Sequence, residues 1–295
     1  MKIKTEKATI VFNVIGYTII TILTLLCLLP FLLIVSGSVT PEKEIIAEGF
    51  KFIPNQFSLD AYTAAFSNTG QIVSAYRVTI FLTLGGTALG LFLTSMAGYV
   101  LSRNDFKYRN SLAFFIYFTT LFSGGLIPWY ILIVNQLNMK DSYMALLLPP
   151  LLSAWNIILM KNFMKSIPDA ITESAKIDGA ADFTIYWKLI LPLSTPGLAT
   201  IGLFMALGYW NDWFLANLFV TTESKYPLQF LLYKILASAA VLNTNVAGNL
   251  SPDFRPPAET LKMAVAVIAT GPIILLYPFV QRFFVKGLTI GAVKG

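Results

Sequence analysis

Five consecutive residues in the second half of the chain carry side chains suited to hold a polar ligand. The run reads Tyr209, Trp210, Asn211, Asp212 and Trp213. Indole rings can stack on sugar rings, while an amide and a carboxylate can hydrogen-bond hydroxyl groups. An ionisable residue within a long apolar stretch is expensive and is by default a functional candidate. The alternative is an aromatic belt at a membrane interface, with Asp212 near the lipid headgroups.

Catalytic and metal-binding chemistry has few candidate residues in this chain. Histidine is absent, and the single cysteine, Cys27, lies inside the first apolar run. This removes the commonest general base, the commonest zinc ligand and any disulfide framework. The sequence also lacks a phosphate-binding G-x-x-x-x-G-K-[ST] loop, a G-x-S-x-G elbow, a Cys-x-x-Cys pair and an H-E-x-x-H motif. We therefore expect no catalytic residue, metal site or cofactor in this chain.

A polar segment at residues 166–192, between two apolar ones, has the pattern of two short helices joined by a glycine. Pro168 suits a first helical turn, and Ser166 three residues before Asp169 resembles a capping box. Gly179 is a natural end for the first helix, because glycine adopts the left-handed conformation without steric cost.

The second helix of this segment is predicted from apolar residues at helical spacing, and Pro192 is expected to end it. The stripe consists of Phe183, Tyr186, Trp187, Ile190 and Leu191. The whole segment is too short and polar to span a bilayer, yet too well patterned to be only a loop.

The composition predicts an all-α membrane protein. Hydrophobic residues make up 56% of the 295 residues and charged residues 12%, against roughly 45–50% and about 25% in soluble proteins.

Six segments are apolar and long enough to span a bilayer, or nearly so: roughly 10–35, 77–101, 111–134, 143–163, 198–220 and 263–283. The first exceeds the about 7–15 apolar residues of a signal peptide. We expect one compact membrane domain over residues 1–295. The sequence contains no run of basic residues of the kind that binds nucleic acid.

Glycine and proline within the predicted spans indicate local features of packing. Gly86 and Gly90 form a small-xxx-small pattern that lets helices approach closely. Gly124, Gly125 and Pro128 are expected to bend or break the third span, because proline removes a backbone donor.

Charge distribution predicts the orientation of the six spans. The side that holds both termini, the 102–110 loop and the 161–197 region collects thirteen basic and six acidic residues, whereas the other side is neutral. The positive-inside rule places the basic side, and with it residues 166–192, in the cytoplasm. The outer side has two long connections, at about 36–76 and 221–262, which either meet an external partner or are ordinary solvated loops.

The residue pattern around Gly179 also resembles a known family. Glu173, Ser174 and Ala175, then Asp178, Gly179 and Ala180, then a Leu-Ile-Leu-Pro run ending at Pro192, are similar to the EAA loop of binding-protein-dependent ABC importer permeases. Ser174 replaces the usual alanine of that pattern. The ending 284–295 resembles sugar-importer permeases of the maltose-transporter type, within them a lipoprotein-type or complex-oligosaccharide subgroup.

The resemblance implies a type I ABC importer permease with six transmembrane helices and a cytoplasmic coupling helix that docks on an ATPase. Its coupling residues would be Glu173, Ser174, Ala175, Asp178, Gly179, Ala180 and Pro192. The small and apolar docking face would be Ala170, Ile171, Ser174, Ala175 and Ile177. Alternatively, Glu173 only forms a weak i,i+3 ion pair with Lys176.

The same resemblance implies partners and a location. The partners would be a second homologous permease, a homodimeric ATPase that binds ATP and magnesium, an extracellular sugar-binding lipoprotein and membrane lipids. The location would be the plasma membrane of a Gram-positive bacterium, with both termini cytoplasmic.

Two other classes of protein are weaker interpretations of this sequence. An ion-coupled secondary transporter would need intramembrane carboxylates and usually internal repeats, but only Asp212 is available. A membrane-embedded enzyme would lack histidine and cysteine chemistry.

Overall fold

The computed structural model describes residues 7–66, 69–246 and 259–274, and every regular element within these ranges is helical. The helices are α1 Lys7–Ser38, α2 Glu42–Glu48, α3 Asp60–Ala65, α4 Thr69–Ser102, α5 Arg109–Phe118, α6 Leu126–Ile131, α7 Tyr143–Leu147, α8 Ala154–Lys165, α9 Asp169–Ile177, α10 Asp182–Ile185, α11 Leu191–Leu193, α12 Thr195–Trp210, α13 Phe214–Phe219 and α14 Leu228–Val246. Two π-helical turns, Leu132–Gln136 and Tyr186–Ile190, a 3-10 turn Glu223–Lys225 and a helical segment 259–274 complete the list. The predicted all-α class is confirmed.

Two helices in the described ranges are long and apolar enough to cross a membrane by length and composition, at Val11–Ser38 and Gly70–Ser102. They correspond to the first and second predicted spans. A third candidate arises only if two helical stretches, Asp182–Leu193 and Thr195–Trp210, count as one span bent by 80°.

The third, fourth and fifth predicted spans are not continuous helices, although their outer ends agree with the structure to within a few residues. The third breaks between α5 and α6 around Gly125, whose φ is +87°, which confirms the break predicted from the glycines. The fourth breaks between α7 and α8, where Pro149 and Pro150 supply no backbone donors. The fifth breaks after Trp210, between α12 and α13. The sixth is helical over 263–274, and its remainder lies outside the described residues.

The chain forms two compact units, of which the first comprises residues 1–69 and 234–271. Within it, Glu42 caps the start of the 259–274 segment. Its carboxylate accepts hydrogen bonds from the N–H groups of Glu259 and Thr260, at 2.9 and 2.8 Å, and from the Thr260 hydroxyl at 2.7 Å. A negative charge at a helix N-terminus satisfies free N–H groups and complements the helix dipole. The single domain over 1–295 stays a prediction.

The second unit comprises residues 70–233 and 272–295, and its helices pack against α4 through glycines. A Cβ atom added at Gly86 would lie 2.3 Å from Cζ of Tyr209, and one at Gly90 would lie 3.0 Å from the Leu151 carbonyl oxygen. Gly98 faces Met160 in the same way, at 2.6 Å from its Cγ. The close approach predicted from the small-xxx-small pattern is therefore confirmed.

Further along α4, a buried core connects this helix with α8, α9, α12 and the Tyr186–Ile190 turn. It contains Tyr99, Met160, Met164, Ala175, Ile185, Tyr186, Ile190, Ile201 and Met205. At its centre the hydroxyl groups of Tyr186 and Ser95 are hydrogen-bonded at 2.7 Å. The core thus anchors the polar segment predicted at 166–192 to long apolar helices.

Candidate functional site

Helix α9 forms the first half of the polar segment, as predicted, but it begins without the expected capping box. Pro168 precedes the helix in an extended conformation, with no side-chain cap. The Ser166 hydroxyl donates to the Phe163 carbonyl oxygen at 2.6 Å instead. Serine hydroxyls readily bond to carbonyls of the preceding turn, and this contact uses Ser166 to end α8 rather than to start α9.

The C-terminus of α9 confirms the role predicted for Gly179. Its φ is +79°, and its N–H donates to the Lys176 carbonyl at 3.0 Å. The N–H of Ala180 donates to the Ala175 carbonyl at 2.9 Å. These two bonds define a Schellman motif, in which a glycine takes the left-handed position after the helix. Asp178 occupies the preceding C-cap position.

The residues of α9 divide into a buried and an exposed face. Ala175 is only 8% exposed and packs into the core, so the predicted docking face is wrong at this position. Ile177 is 86% exposed, and Ala170, Glu173 and Ser174 are exposed as well. The exposed face of α9 therefore combines polar side chains with one large apolar side chain, Ile177.

The second half of the segment differs from the single predicted helix. Helix α10 runs into the π-helical turn and then into α11, so Pro192 lies inside α11 and does not end the helical stretch. The chain turns after Leu193, where the two stretches meet at 80°. Of the predicted stripe, Tyr186 and Ile190 are buried while Phe183 and Trp187 are exposed, so the core covers only part of the stripe.

The connection between α4 and α5 makes polar contacts with α9 and α10. Arg103 donates to Asp105 from Nε at 2.8 Å and from Nη2 at 2.5 Å, and its Nη1 lies 2.5 Å from Oδ1 of Asp182. Lys176 also binds Asp105, at 2.5 Å, rather than forming the alternative pair with Glu173. Hydrogen bonds from Arg103 and then Lys176 hold the pKa of the Asp105 carboxyl well below its usual range.

Sequence reasoning missed the role of residues 103–105. It counted Arg103 and Asp105 only as charges on the basic side. Their closeness to α9 depends on the path of the chain between α4 and α8, which no local pattern reveals.

The run 209–213 separates into a buried and an exposed part. Tyr209 and Trp210 are buried. The Tyr209 hydroxyl donates to the Leu147 carbonyl at 2.7 Å, and the Trp210 ring packs against Tyr76 with centroids 6.5 Å apart. Both side chains therefore have packing roles in this structure.

Asn211 and Trp213 are exposed and pair with residues of α14. Oδ1 of Asn211 accepts a hydrogen bond from Nε2 of Gln229 at 3.1 Å. Trp213 stacks on Tyr233 at a centroid distance of 4.7 Å and an interplanar angle of 24°, and the two residues are 41% and 45% exposed. We call these four residues the amide–aromatic patch. Gln229 and Tyr233 were not predicted, although their i,i+4 spacing puts them on one helix face.

Asp212 lies in the turn between α12 and α13 rather than within a helix. Its Oδ1 accepts a hydrogen bond from the Leu215 N–H at 3.2 Å, which gives the carboxylate a helix-capping role.

The fold is that of an ABC importer permease. A solved structure described as a bacterial ABC transporter involved in the import of the acidic polysaccharide alginate superposes with a TM-score of 0.79 and 30% sequence identity, covering 96% of this chain and 100% of that one. The chain belongs to the family described as binding-protein-dependent transport system inner membrane component, which matches residues 90–290.

Curated relatives narrow the class further. A polygalacturonan/rhamnogalacturonan transport system permease protein, YtcP of Bacillus subtilis, is 43% identical over 96% of this chain and 98% of its own length. Protein LplC of the same organism is 42% identical over 98% of this chain and 97% of its own length. The chain is therefore a membrane permease of the sugar ABC importer class and not an enzyme. These findings give no support to an ion-coupled secondary transporter.

Proposed function

We propose that this chain forms half of the translocation path of an oligosaccharide importer and that α9 is its cytoplasmic coupling helix. The observation that carries the proposal is the division of α9: Ala175 is locked into the core while Glu173, Ser174 and Ile177 project outward. A helix held in this way can dock in a groove of another protein with its exposed face. Its displacement would then be passed through Ala175 to the core of this chain.

The proposed assembly contains a second homologous permease, a homodimeric ATPase with ATP and magnesium, and an extracellular sugar-binding lipoprotein. Support comes from the family, whose description names binding-protein dependence and the inner membrane. The organism of the two curated relatives supports a Gram-positive plasma membrane. The charge distribution supports an orientation with both termini in the cytoplasm.

In the proposed mechanism, ATP closes the ATPase dimer and draws the two coupling helices together. The core passes this movement from α9 to α4 and α12, because packed side chains transmit displacement rather than absorb it. The spans then pivot and open the cavity outward to receive the sugar, and hydrolysis resets them.

Affinity purification of the tagged chain in mild detergent, with mass spectrometry of what accompanies it, tests the assembly. We expect a homologous permease and an ATPase, and at least a tenfold loss of the ATPase with Glu173→Ala, since losing about 1.4 kcal/mol of binding lowers affinity tenfold. The matched control is Glu223→Ala, which removes an exposed carboxylate from a turn assigned to the outer side. A chain recovered alone, or only with copies of itself, would contradict the proposal.

The amide–aromatic patch is the substrate contact that we propose for this chain. Trp213 and Tyr233 offer exposed rings to a sugar ring. Nδ2 of Asn211 also donates to the Leu207 carbonyl oxygen at 3.0 Å. Beyond this bond and the one that they share, Asn211 retains one N–H, and Gln229 retains one N–H and its carbonyl oxygen. All four side chains are uncharged, so the patch suits hydroxyl-rich chains of neutral sugars and of uronates, such as those named for the relatives.

We expect Trp213→Ala to raise the sugar concentration for half-maximal uptake about tenfold, the effect of losing about 1.4 kcal/mol of binding. Trp213→Phe keeps an aromatic ring stacked on Tyr233, so we expect it to change the concentration for half-maximal uptake by less than about threefold. Uptake of labelled neutral and galacturonate oligosaccharides into cells would be measured over a concentration series. Equal uptake curves for wild type and Trp213→Ala would remove the patch from the substrate path.

A further inference from the structure

Both ends of α9 are tied to the connection between α4 and α5. At the first turn, Nδ2 of Asn104 donates to Oδ2 of Asp169 at 2.6 Å. At the last turn, Lys176 reaches Asp105 at 2.5 Å. The adjacent residues Asn104 and Asp105 thus each hold one end of α9, and we call these two contacts the first and the second tether.

Arg103 links the connection between α4 and α5 to the start of α10 and to the last turns of α4. It binds Asp105 and also Asp182 at the start of α10, and its guanidinium lies 5.6 Å from the centroid of the Tyr99 ring. Its side chain is only 16% exposed, while those of Asp105 and Asp182 are 48% and 62% exposed, so water still screens these contacts in part. Tyr99 in turn packs on Tyr186, with centroids 5.4 Å apart. A continuous set of contacts therefore runs from α9 to the last turns of α4 and to the core.

The ends of α9 explain why such tethers are needed. Pro168 precedes the helix and Gly179 follows it in the left-handed conformation, so short irregular connections flank both termini. Such connections are where a helix can pivot. Apart from Ala175, the residues of α9 are not fully buried, so the core by itself holds this helix at one residue.

We propose that Arg103, Asn104 and Asp105 are positioning residues that fix α9 to α4, so that a displacement of α9 moves α4 instead of being absorbed at its flanking connections. This inference rests on the proposed function of α9 as the coupling helix. In this role the three residues act through α9 and not by binding ATP or sugar. Their effect is on the amount of transport obtained for each ATP hydrolysed.

A side-chain exchange between Asn104 and Asp169 tests the first tether. Asn104→Asp sets two carboxylates against each other at hydrogen-bond distance, and like charges repel there. Asp169→Asn leaves two amides that can still bond. The double variant Asn104→Asp/Asp169→Asn restores one amide–carboxylate bond with donor and acceptor reversed. The hydrogen bond from Arg109 to Oδ1 of residue 104 is available with asparagine or aspartate.

The readout is the number of ATP molecules hydrolysed per sugar imported by the complete importer in proteoliposomes. We expect Asn104→Asp to raise this ratio about fivefold, the lower end of typical coupling effects. Asp169→Asn should stay within about twofold of wild type, and the double variant should return to the wild-type ratio. Asp105→Asn, which weakens the second tether at constant shape, should raise the ratio as well. Recovery of the ATPase in purification shows that each variant assembles.

The outcomes separate the positioning role from the proposed function. A wild-type complex whose ATP hydrolysis does not respond to sugar-loaded binding protein would overturn the proposed function and the inference together. A coupled wild type with unchanged ratios in Asn104→Asp and Asp105→Asn would overturn only the positioning role. A ratio raised in Asn104→Asp that the double variant does not restore would also overturn it. If Asn104→Asp does not assemble, Asp105→Asn decides by the same ratio.

Discussion

Sugar uptake is expected to be lost in Gly179→Pro, while the chain still inserts and its core remains folded. Proline fixes φ near −65°, whereas residue 179 requires +79°. Proline also removes the N–H that donates to the Lys176 carbonyl. The Schellman motif cannot form, so α10 leaves α9 at a different angle and the exposed face of α9, the proposed docking face, is reoriented.

Gly179→Asn is the matched control, because asparagine tolerates the left-handed conformation and a Cβ atom at this position would meet no atom within 4 Å. We expect Gly179→Asn to retain most of the sugar uptake. In Gly179→Pro the uptake should fall at least about a hundredfold, near the upper range of coupling effects. Uptake would be compared with the amount of chain in the membrane and with its melting temperature in detergent. Equal uptake by the proline and asparagine variants would rule out a role for the left-handed turn.

Gly86→Ala is expected to destabilise the second unit strongly. The added methyl group would lie 2.3 Å from Cζ of Tyr209. The Tyr209 ring has little freedom to withdraw, since it is buried and its hydroxyl is held by the Leu147 carbonyl. Overpacking of a tight core typically costs about 1–3 kcal/mol, and a ring anchored at its far end puts this case at the upper end.

The neighbouring glycine provides the control for this prediction. A Cβ atom at Gly85 would meet nothing within 4 Å, so Gly85→Ala should be tolerated in the same turn of the same helix. Thermal unfolding in detergent, followed by tryptophan fluorescence, would compare both variants. Combining Gly86→Ala with Tyr209→Ala should cost less than the sum of the single changes, because the clash requires both side chains. Equal melting temperatures for Gly85→Ala and Gly86→Ala would contradict the packing described for α4.

Sequence patterns predicted some elements of this fold well and others poorly. α1 and α4 were predicted because hydrophobicity sustained over a bilayer's width leaves few alternatives to a helix. The spans at 143–163 and 198–220 were predicted as single helices, because apolar composition over a given length does not indicate where a helix breaks. Pro149, Pro150 and the turn after Trp210 divide them in the structure. The glycine signals at Gly86 and Gly125 were confirmed, since each reflects a steric property of glycine itself.

The candidate sites show the same difference. The helix–glycine–helix segment was predicted because caps and left-handed glycines act over a few residues. The Ser166 capping box was wrong because a serine hydroxyl can bond forward or backward along the chain, and local sequence does not decide between them. In the run 209–213, residue types indicated a ligand site, but they did not distinguish the buried Tyr209 and Trp210 from the exposed Asn211 and Trp213.

The sequence by itself determined that the chain is a helical membrane protein and that its polar segment turns at Gly179, whereas the permease class rested on a family resemblance. These properties depend on hydrophobicity and on backbone sterics, both of which act locally. Only the tertiary structure decided that Ala175 faces the core, that Asp105 pairs with Lys176 and that Gln229 and Tyr233 join the amide–aromatic patch. Each of these contacts joins residues that are far apart in sequence or depends on which face of a helix the core covers. Such contacts are set by how the helices pack.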